Sequence, residues 1–281
     1  MDYFKRARQF RAKKRLGQNF LVDSKIIQRI LNEANLSKDE TVLEIGAGLG
    51  FVTEELAKIA DRVIAIEIDT DAIKELSSLP YSNIEIVNQD ILKADLSELV
   101  DKPVKIIANI PYYITSPILV HLLGEIDQYD YKNRKYISEI ILMVQYEVAK
   151  RIVANEKSSS KEYGLLSILV NYWAETELIC KVQANSFYPA PKVDSALLKL
   201  KVRQEPIINI SNPKLFRRVI QAAFGQRRKN IKNALTNAGF DSNIVIAALL
   251  KSHIEPNRRG ETLSIEEYKD LTESMASFLG I

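Results

Sequence analysis

The chain has 281 residues, 46% of them hydrophobic, with one cysteine and a formal net charge of +3 at pH 7. A chain of this length builds its core without covalent staples. A single thiol, Cys180, excludes an internal disulfide framework and reads as a small buried residue in a reducing compartment. His121 and His253 have no partner at metal-ligand spacing, so no metal is expected, and no apolar run of about 18 residues is present to span a membrane.

The first segment is strongly basic: Lys5, Arg6, Arg8, Arg11, Lys13, Lys14 and Arg15 form an arm over 1–15. No apolar stretch follows, as a secretory signal would need, and a motif beginning at Gly17 leaves little for a mitochondrial leader to lose. A cytoplasmic protein is expected. After the arm, Asp23 caps a helix in which Ile26, Ile27, Ile30, Leu31 and Ala34 recur at helical spacing. Apolar strands are predicted at 41–45, 62–67, 83–88, 104–108 and 138–144, each followed by a turn or helix. Helices are expected at 51–60, 71–78, 116–123, 146–154 and 164–173, then two late strands at 177–182 and 195–202. Strands apolar throughout and alternating with helices indicate an α/β fold, a mostly parallel sheet covered on both faces. The two late strands, with little helix between them, suggest an antiparallel edge. Beyond Glu205-Pro206 only helical periodicity remains, so a catalytic domain at 16–205 and a small all-α domain at 206–281 are expected. A second basic cluster, Arg217, Arg218, Arg227, Arg228, Lys229 and Lys232, falls in the latter. One cluster alone reads equally well as a solvated face; two favour a polyanionic partner, through phosphate neutralisation and counterion release.

Glu44-Ile-Gly-Ala-Gly-Leu-Gly50 joins the first predicted strand of the sheet to a helix. Glycines at 46, 48 and 50 allow a sharp turn and the close approach of a ligand. The third glycine comes one residue early for a dinucleotide fingerprint. Glu67 ends the next strand, where it would accept both hydroxyls of a ribose. Asp90 follows the third, where it would accept from an adenine amino group. Ligands of open α/β sheets bind beyond the carboxyl ends of the strands. Acids there without a phosphate-binding lysine suit an adenosine-bearing ligand that has no phosphate.

The fourth strand ends in Asn109-Ile-Pro-Tyr112, with Tyr113 next. An aromatic exocyclic amine is a poor nucleophile, because its lone pair is delocalised into the ring. It needs acceptors on its N–H groups to face an electrophile. Asn109 Oδ1 and the carbonyl of Ile110 or Pro111 are suited to that, Pro111 stiffens the turn, and Tyr112 offers a stacking face worth roughly 1–3 kcal/mol per base. A turn that merely positions a helix is the plainer alternative.

The chain resembles the rRNA adenine N6-dimethyltransferases, and among them the bacterial small-subunit (16S) group linked to kasugamycin sensitivity. The matching segments are Leu16–Leu21, Glu44–Gly50, Asn109–Ile114, Tyr163–Ser167, Phe187–Ser195 and Phe224–Lys229, in order along most of the chain. The resemblance implies a class I, Rossmann-like S-adenosylmethionine-dependent methyltransferase with S-adenosylhomocysteine as product. It implies that Gln18, Asn19 and Leu21 close over the cofactor, with Gly46, Gly48, Glu67, Asp90 and Asn109 lining its pocket. Asn109, Pro111, Tyr112 and Phe187 would be the catalytic set, Tyr112 and Phe187 sandwiching the adenine, although Phe187 by itself reads as core. Arg15, Lys192, Arg227, Arg228 and Lys229 would face RNA; for Lys192, capping a strand explains it equally well. The implied reaction is dimethylation of two adjacent adenines near the 3′ end of small-subunit rRNA, in an immature particle and by a monomer. The alternatives are a large-subunit (23S) dimethyltransferase of the macrolide-resistance type, and an assembly or transcription factor that binds without essential catalysis. A DNA amine methyltransferase fits less well, since Ile110 matches the rRNA group.

Overall fold

The computed structural model describes residues 2–159 and 161–281. In chain order its first elements are helix α1 (Tyr3–Gln9), strand β1 (Phe20–Leu21), α2 (Ser24–Ala34), β2 (Thr41–Ile45), α3 (Phe51–Ala57), β3 (Arg62–Glu67), α4 (Thr70–Ser77) and β4 (Ile84–Asn88). Then come β5 (Val104–Asn109), α5 (Thr115–Leu123), β6 (Ile137–Gln145), α6 (Tyr146–Val153), α7 (Leu165–Trp173), β7 (Ala174–Val182), β8 (Phe187–Tyr188) and β9 (Ser195–Val202). Helices α8 (Pro213–Gly225), α9 (Ile231–Asn237), α10 (Ser242–Lys251) and α11 (Ile265–Leu279) complete the chain.

The chain divides into two compact units, one of residues up to 124 with 131–149 and 175–204, the other of 125–130, 150–174 and 205–281. In the first, seven strands form one sheet in the order β4-β3-β2-β5-β6-β9-β7. The β4-β3-β2-β5-β6 stretch is parallel and β9 runs antiparallel to β6, so the antiparallel edge expected from the late strands is present. The chain steps outward from β2 to β4, then returns to place β5 on the other side of β2. The order therefore reverses between β2 and β5, and a crevice opens at their carboxyl ends. Val42, Leu43, Ile45, Val63, Ile64, Ile106 and Ile107 are buried, as strands covered on both faces require.

Two features of this unit were not visible as elements in the sequence. Residues 20–21 pair antiparallel with 187–188, Phe20 opposite Tyr188 and Leu21 opposite Phe187, forming a separate two-stranded ribbon. The start of the basic arm is a helix and not a solvated tail: Tyr3 and Ala7 of α1 are buried. The Tyr3 ring packs 4.9 Å from that of Phe51, and its hydroxyl donates to Glu55 Oε1 at 2.7 Å.

The second unit is helical, with α8–α11 packed around Phe216, Val219, Leu235, Leu249, Tyr268 and Leu271. Segment 125–130 belongs to it because the Trp173 indole donates to the Glu125 carbonyl (3.2 Å) and the Tyr129 and Tyr172 hydroxyls share a 2.6 Å hydrogen bond. Arg217 pairs with Glu125 at 2.8 Å, so that cation of the second basic cluster is neutralised inside the unit.

Candidate active site

The crevice between β2 and β5 begins with the glycine turn. Gly46, Gly48 and Gly50 all take positive φ, 74°, 55° and 76°. At Gly46 a Cβ would stand 3.3 Å from the Asn109 carbonyl oxygen, and at Gly48 one would press on the Phe20 ring at 3.1 Å. Side chains at either position would force apart the two strand ends or the segment that covers them.

The Gly48 N–H donates to Glu67 Oε2 at 2.8 Å, while Glu67 Oε1 accepts from the N–H groups of Ile68 and Asp69, each at 2.8 Å. Three backbone donors therefore hold this carboxylate in one orientation at the end of β3, with acceptor capacity to spare. Asp90 caps the short turn 91–93 by accepting from the Leu92 N–H at 3.0 Å. Ile68 and Ile91 stand beside these acids as apolar walls. The floor holds Glu44, fully buried and accepting a hydrogen bond from the Thr53 hydroxyl. Burial pushes its carboxyl up to about 8; the Thr53 bond opposes the rise and the charge of Glu67 adds to it. The lining contains three carboxyl groups, Glu44, Glu67 and Asp90, and no lysine or arginine. Such a cleft repels polyphosphates and suits a nucleoside with net positive charge, which S-adenosylmethionine is.

Residues 16–21 cross the mouth as a strap. Gln18 lines the cleft, but its amide is committed to the protein: Nε2 donates to Asp69 Oδ2 and Oε1 accepts from the Lys13 N–H, both at 2.7 Å. Asp69, whose side chain is completely buried, also forms an ion pair with Lys13, and Lys13 reaches Asp71 at 2.7 Å. Burial alone would raise the Asp69 carboxyl, but the bonds from Lys13 and Gln18 prevail and hold it below the usual carboxylate range. Asp69 thus ties the strap to the loop that aims Glu67.

Asn109 ends β5 with its side-chain amide N–H directed at the Asn19 carbonyl, 3.5 Å away, which turns Oδ1 to the opposite side as an acceptor. Tyr112 lines the cleft, and its hydroxyl shares a hydrogen bond with Ser195 Oγ. Burial raises that hydroxyl above the usual tyrosine range, so it stays neutral.

The fold gathers Gln18, Asn19, Leu21, Gly46, Gly48, Glu67, Asp90, Asn109, Pro111 and Tyr112 around one cleft. Phe187 is not among the side chains that line this cleft. Its ring is 2% exposed and packed in the core beneath the strap, opposite Leu21. Arg15 and Lys192 are exposed in the first unit, and Arg227, Arg228 and Lys229 in the second, where Arg227 also donates to the Tyr163 carbonyl. Lys13, Glu44, Asp69 and Ser195 also take part in the site, beyond the residues expected from the sequence. Glu44 and Ser195 sat within quoted motifs, and Asp69 lies two residues after Glu67, but only the fold shows what each one touches.

Strand order, the reversal at β2 and β5 and the antiparallel β9 define the first unit as a class I S-adenosylmethionine-dependent methyltransferase. The model of the ribosomal RNA adenine dimethylase family matches residues 9–277, and the chain belongs to that family. It is 44% identical over 271 residues to a ribosomal RNA small subunit methyltransferase A of Clostridioides difficile, covering 94% of this chain and 90% of the relative. A protein of the same name from Moorella thermoacetica is 42% identical, with 94% and 92% covered. Among solved structures, a dimethyladenosine transferase from Plasmodium falciparum superposes with a TM-score of 0.76 at 25% identity, covering 93% of this chain and 98% of that one. The 23S rRNA methyltransferase ErmE gives 0.66 at 30% identity, with 92% and 99% covered.

Two outcomes follow from this geometry. Lys13→Ala leaves the buried Asp69 carboxylate without its cation, loosens the strap and weakens S-adenosylmethionine binding several-fold by calorimetry, whereas Lys13→Arg retains it. Glu44 keeps its proton in the folded protein up to about pH 8 but loses it near 4.5 when unfolded, so its contribution to stability falls as pH rises through that window. Glu44→Gln removes this slope. In chemical denaturation of the ligand-free protein, the variant gains stability relative to wild type on going from pH 5 to pH 8.

Proposed function

We propose that this protein transfers methyl groups to N6 of two adjacent adenines near the 3′ end of small-subunit (16S) rRNA, acting as a monomer on an immature particle in the cytoplasm. The observation that carries the substrate assignment is identity of 40–44%, over at least nine-tenths of both chains, to relatives named for the small ribosomal subunit.

S-adenosylmethionine, when bound, supplies an electrophilic methyl group on a sulfonium. Glu67 would accept the ribose hydroxyls and Asp90 would accept from the adenine amino group of the cofactor, with Ile68 and Ile91 as apolar walls beside them. The Gly46–Gly48 turn leaves room for the rest of the cofactor, and Gln18, Asn19 and Leu21 form the cover that excludes water. Asn109 Oδ1 and a carbonyl of the following turn accept the two N–H groups of the target amine, directing its lone pair into the cleft. Tyr112, held by Ser195, offers its ring face to the base. Catalysis in this arrangement comes from orientation and desolvation, which supply several kcal/mol once the reacting atoms are held in line. No general base is needed, because the nitrogen sheds its proton readily after it has gained a methyl group and a positive charge. The target base must leave any stack, at least cost in a loop or an incompletely assembled particle.

The test is tritiated-methyl transfer to hypomethylated small and large subunits side by side, with the labelled nucleotides mapped by mass spectrometry. Label in dimethyladenosine of the small subunit is expected; label confined to the large subunit would transfer the assignment to 23S rRNA. Asn109→Ala lowers transfer roughly 10²–10³-fold, the range for removing one positioned hydrogen-bonding group, while particle binding persists. Normal transfer by that variant would remove Asn109 from the catalytic set.

A further inference from the structure

Two of the seven cations in the basic arm are consumed within the protein: Arg6 pairs with Glu54 at 3.0 Å, and Lys13 pairs with Asp69 and Asp71. Both lie on the inner side of the arm, with Tyr3 and Ala7. The outer face of α1 is different. Phe4 is 47% exposed, Lys5 and Arg8 are exposed on the same helix, and Arg11 is exposed just beyond its end. Arg8 lies one helical turn after Phe4, its guanidinium carbon 5.8 Å from the ring centroid. Lys5 and Arg8 are like charges three residues apart, a mildly repulsive arrangement on an isolated helix. The one acid among residues 2–22 is Asp2, whose carboxylate caps α1 by accepting from the Lys5 N–H. Among the described residues, no carboxylate forms an ion pair with Lys5, Arg8 or Arg11, unlike Arg6 and Lys13.

Ring contacts link this face to the cleft. Phe4 stands edge-on to Tyr188, ring centroids 5.5 Å apart, and Tyr188 is in register with Phe20, which lines the cleft. Phe10, just past the end of α1, packs edge-on against Phe20 at the same distance. The helix is anchored below, through Tyr3 and Arg6, so the outer side chains are presented on a fixed support and not on a tail.

A half-exposed aromatic ring framed by unneutralised cations is the combination that binds single-stranded nucleic acid, with the ring stacking on a base and the cations meeting phosphates. An acidic protein surface would satisfy the cations but gives no role to the exposed ring. We propose that Phe4, Lys5, Arg8 and Arg11, backed by Tyr188, form a docking shelf for an unpaired rRNA nucleotide and its phosphates beside the target adenine. The inference rests on the reading of rRNA as substrate.

Steady-state methylation of hypomethylated small subunits tests the shelf, with S-adenosylmethionine affinity measured on the same samples as a check on folding. Phe4→Leu keeps apolar packing on Tyr188 but loses the π-face; it raises KM for the particle about 5- to 150-fold, the span of one base stack, with kcat and cofactor affinity unchanged. Phe4→Trp behaves as wild type. Replacing Lys5, Arg8 and Arg11 together by alanine lowers the salt slope of particle binding by about 2, near 0.7 per single-strand phosphate contact. A photoreactive phenylalanine analogue at position 4 crosslinks to rRNA. A Phe4→Leu variant indistinguishable from wild type overturns the shelf, as does a crosslink to a ribosomal protein or none at all. Wild type run in parallel separates the two readings: if it fails to methylate small subunits, the substrate assignment falls and the shelf with it. If it methylates them normally and Phe4→Leu does too, only the shelf falls.

Discussion

The approach of two strand ends governs this site. β2 and β5 are neighbours in the sheet but lie far apart in the chain, and Gly46 sits so close to the Asn109 carbonyl that a methyl group at Gly46 would strain the contact. That closeness places the glycine turn and the Asn-Ile-Pro-Tyr turn on one crevice, where a donor and an amine would have to meet. The reversal of strand order creates the crevice, and the missing Cβ keeps it open. Glu67 and Asp90 extend it along the ends of the next two parallel strands, so each acid inherits its place from the sheet.

Charge decides what this crevice tolerates. Three carboxyl groups in and beside it are handled in different ways. Glu67 is fixed by three backbone N–H groups. Asp69 is buried with a lysine and a glutamine amide, and leaving such a buried charge unpaired costs about 3–5 kcal/mol. Glu44 has no cation acting on it among the described residues and stays protonated well above the usual range for a carboxyl. An unpaired buried carboxylate is thus avoided by pairing in one case and by protonation in another. The cost of burying Asp69 also fastens the strap: its partners Lys13 and Gln18 both lie on the chain that crosses the cleft.

The basic arm shows how a compositional signal divides once the chain folds. Seven cations in 15 residues suggest one undifferentiated polyanion contact. In the structure Arg6 and Lys13 point inward to Glu54 and Asp69, and Lys5, Arg8 and Arg11 point outward. The second cluster divides likewise, with Arg217 on Glu125 and Arg228 and Lys229 exposed. Net charge records neither division, because the acids that absorb the inner cations come from distant parts of the chain.

The parallel strands, most of the helices and ten of the residues lining the cleft were legible in the sequence, because each rests on local chemistry. Apolar runs set the strands, glycines set the turn, and Asn109–Tyr112 carries its own hydrogen-bonding and stacking groups. Less legible were elements held by distant partners. Helix α1 depends on Phe51 and Glu55, the β1–β8 ribbon joins residues about 165 positions apart in sequence, and Ser195 acquires its role only by meeting Tyr112. Phe187 adds another such case: it is buried in register with Leu21, a pairing that its own motif does not contain. The sequence by itself determined which side chains carry the chemistry, since donors, acceptors and backbone freedom are properties of residue type. Only the tertiary structure decided which of them meet, which cations are neutralised and which ring is buried, because those depend on strand order and long-range packing.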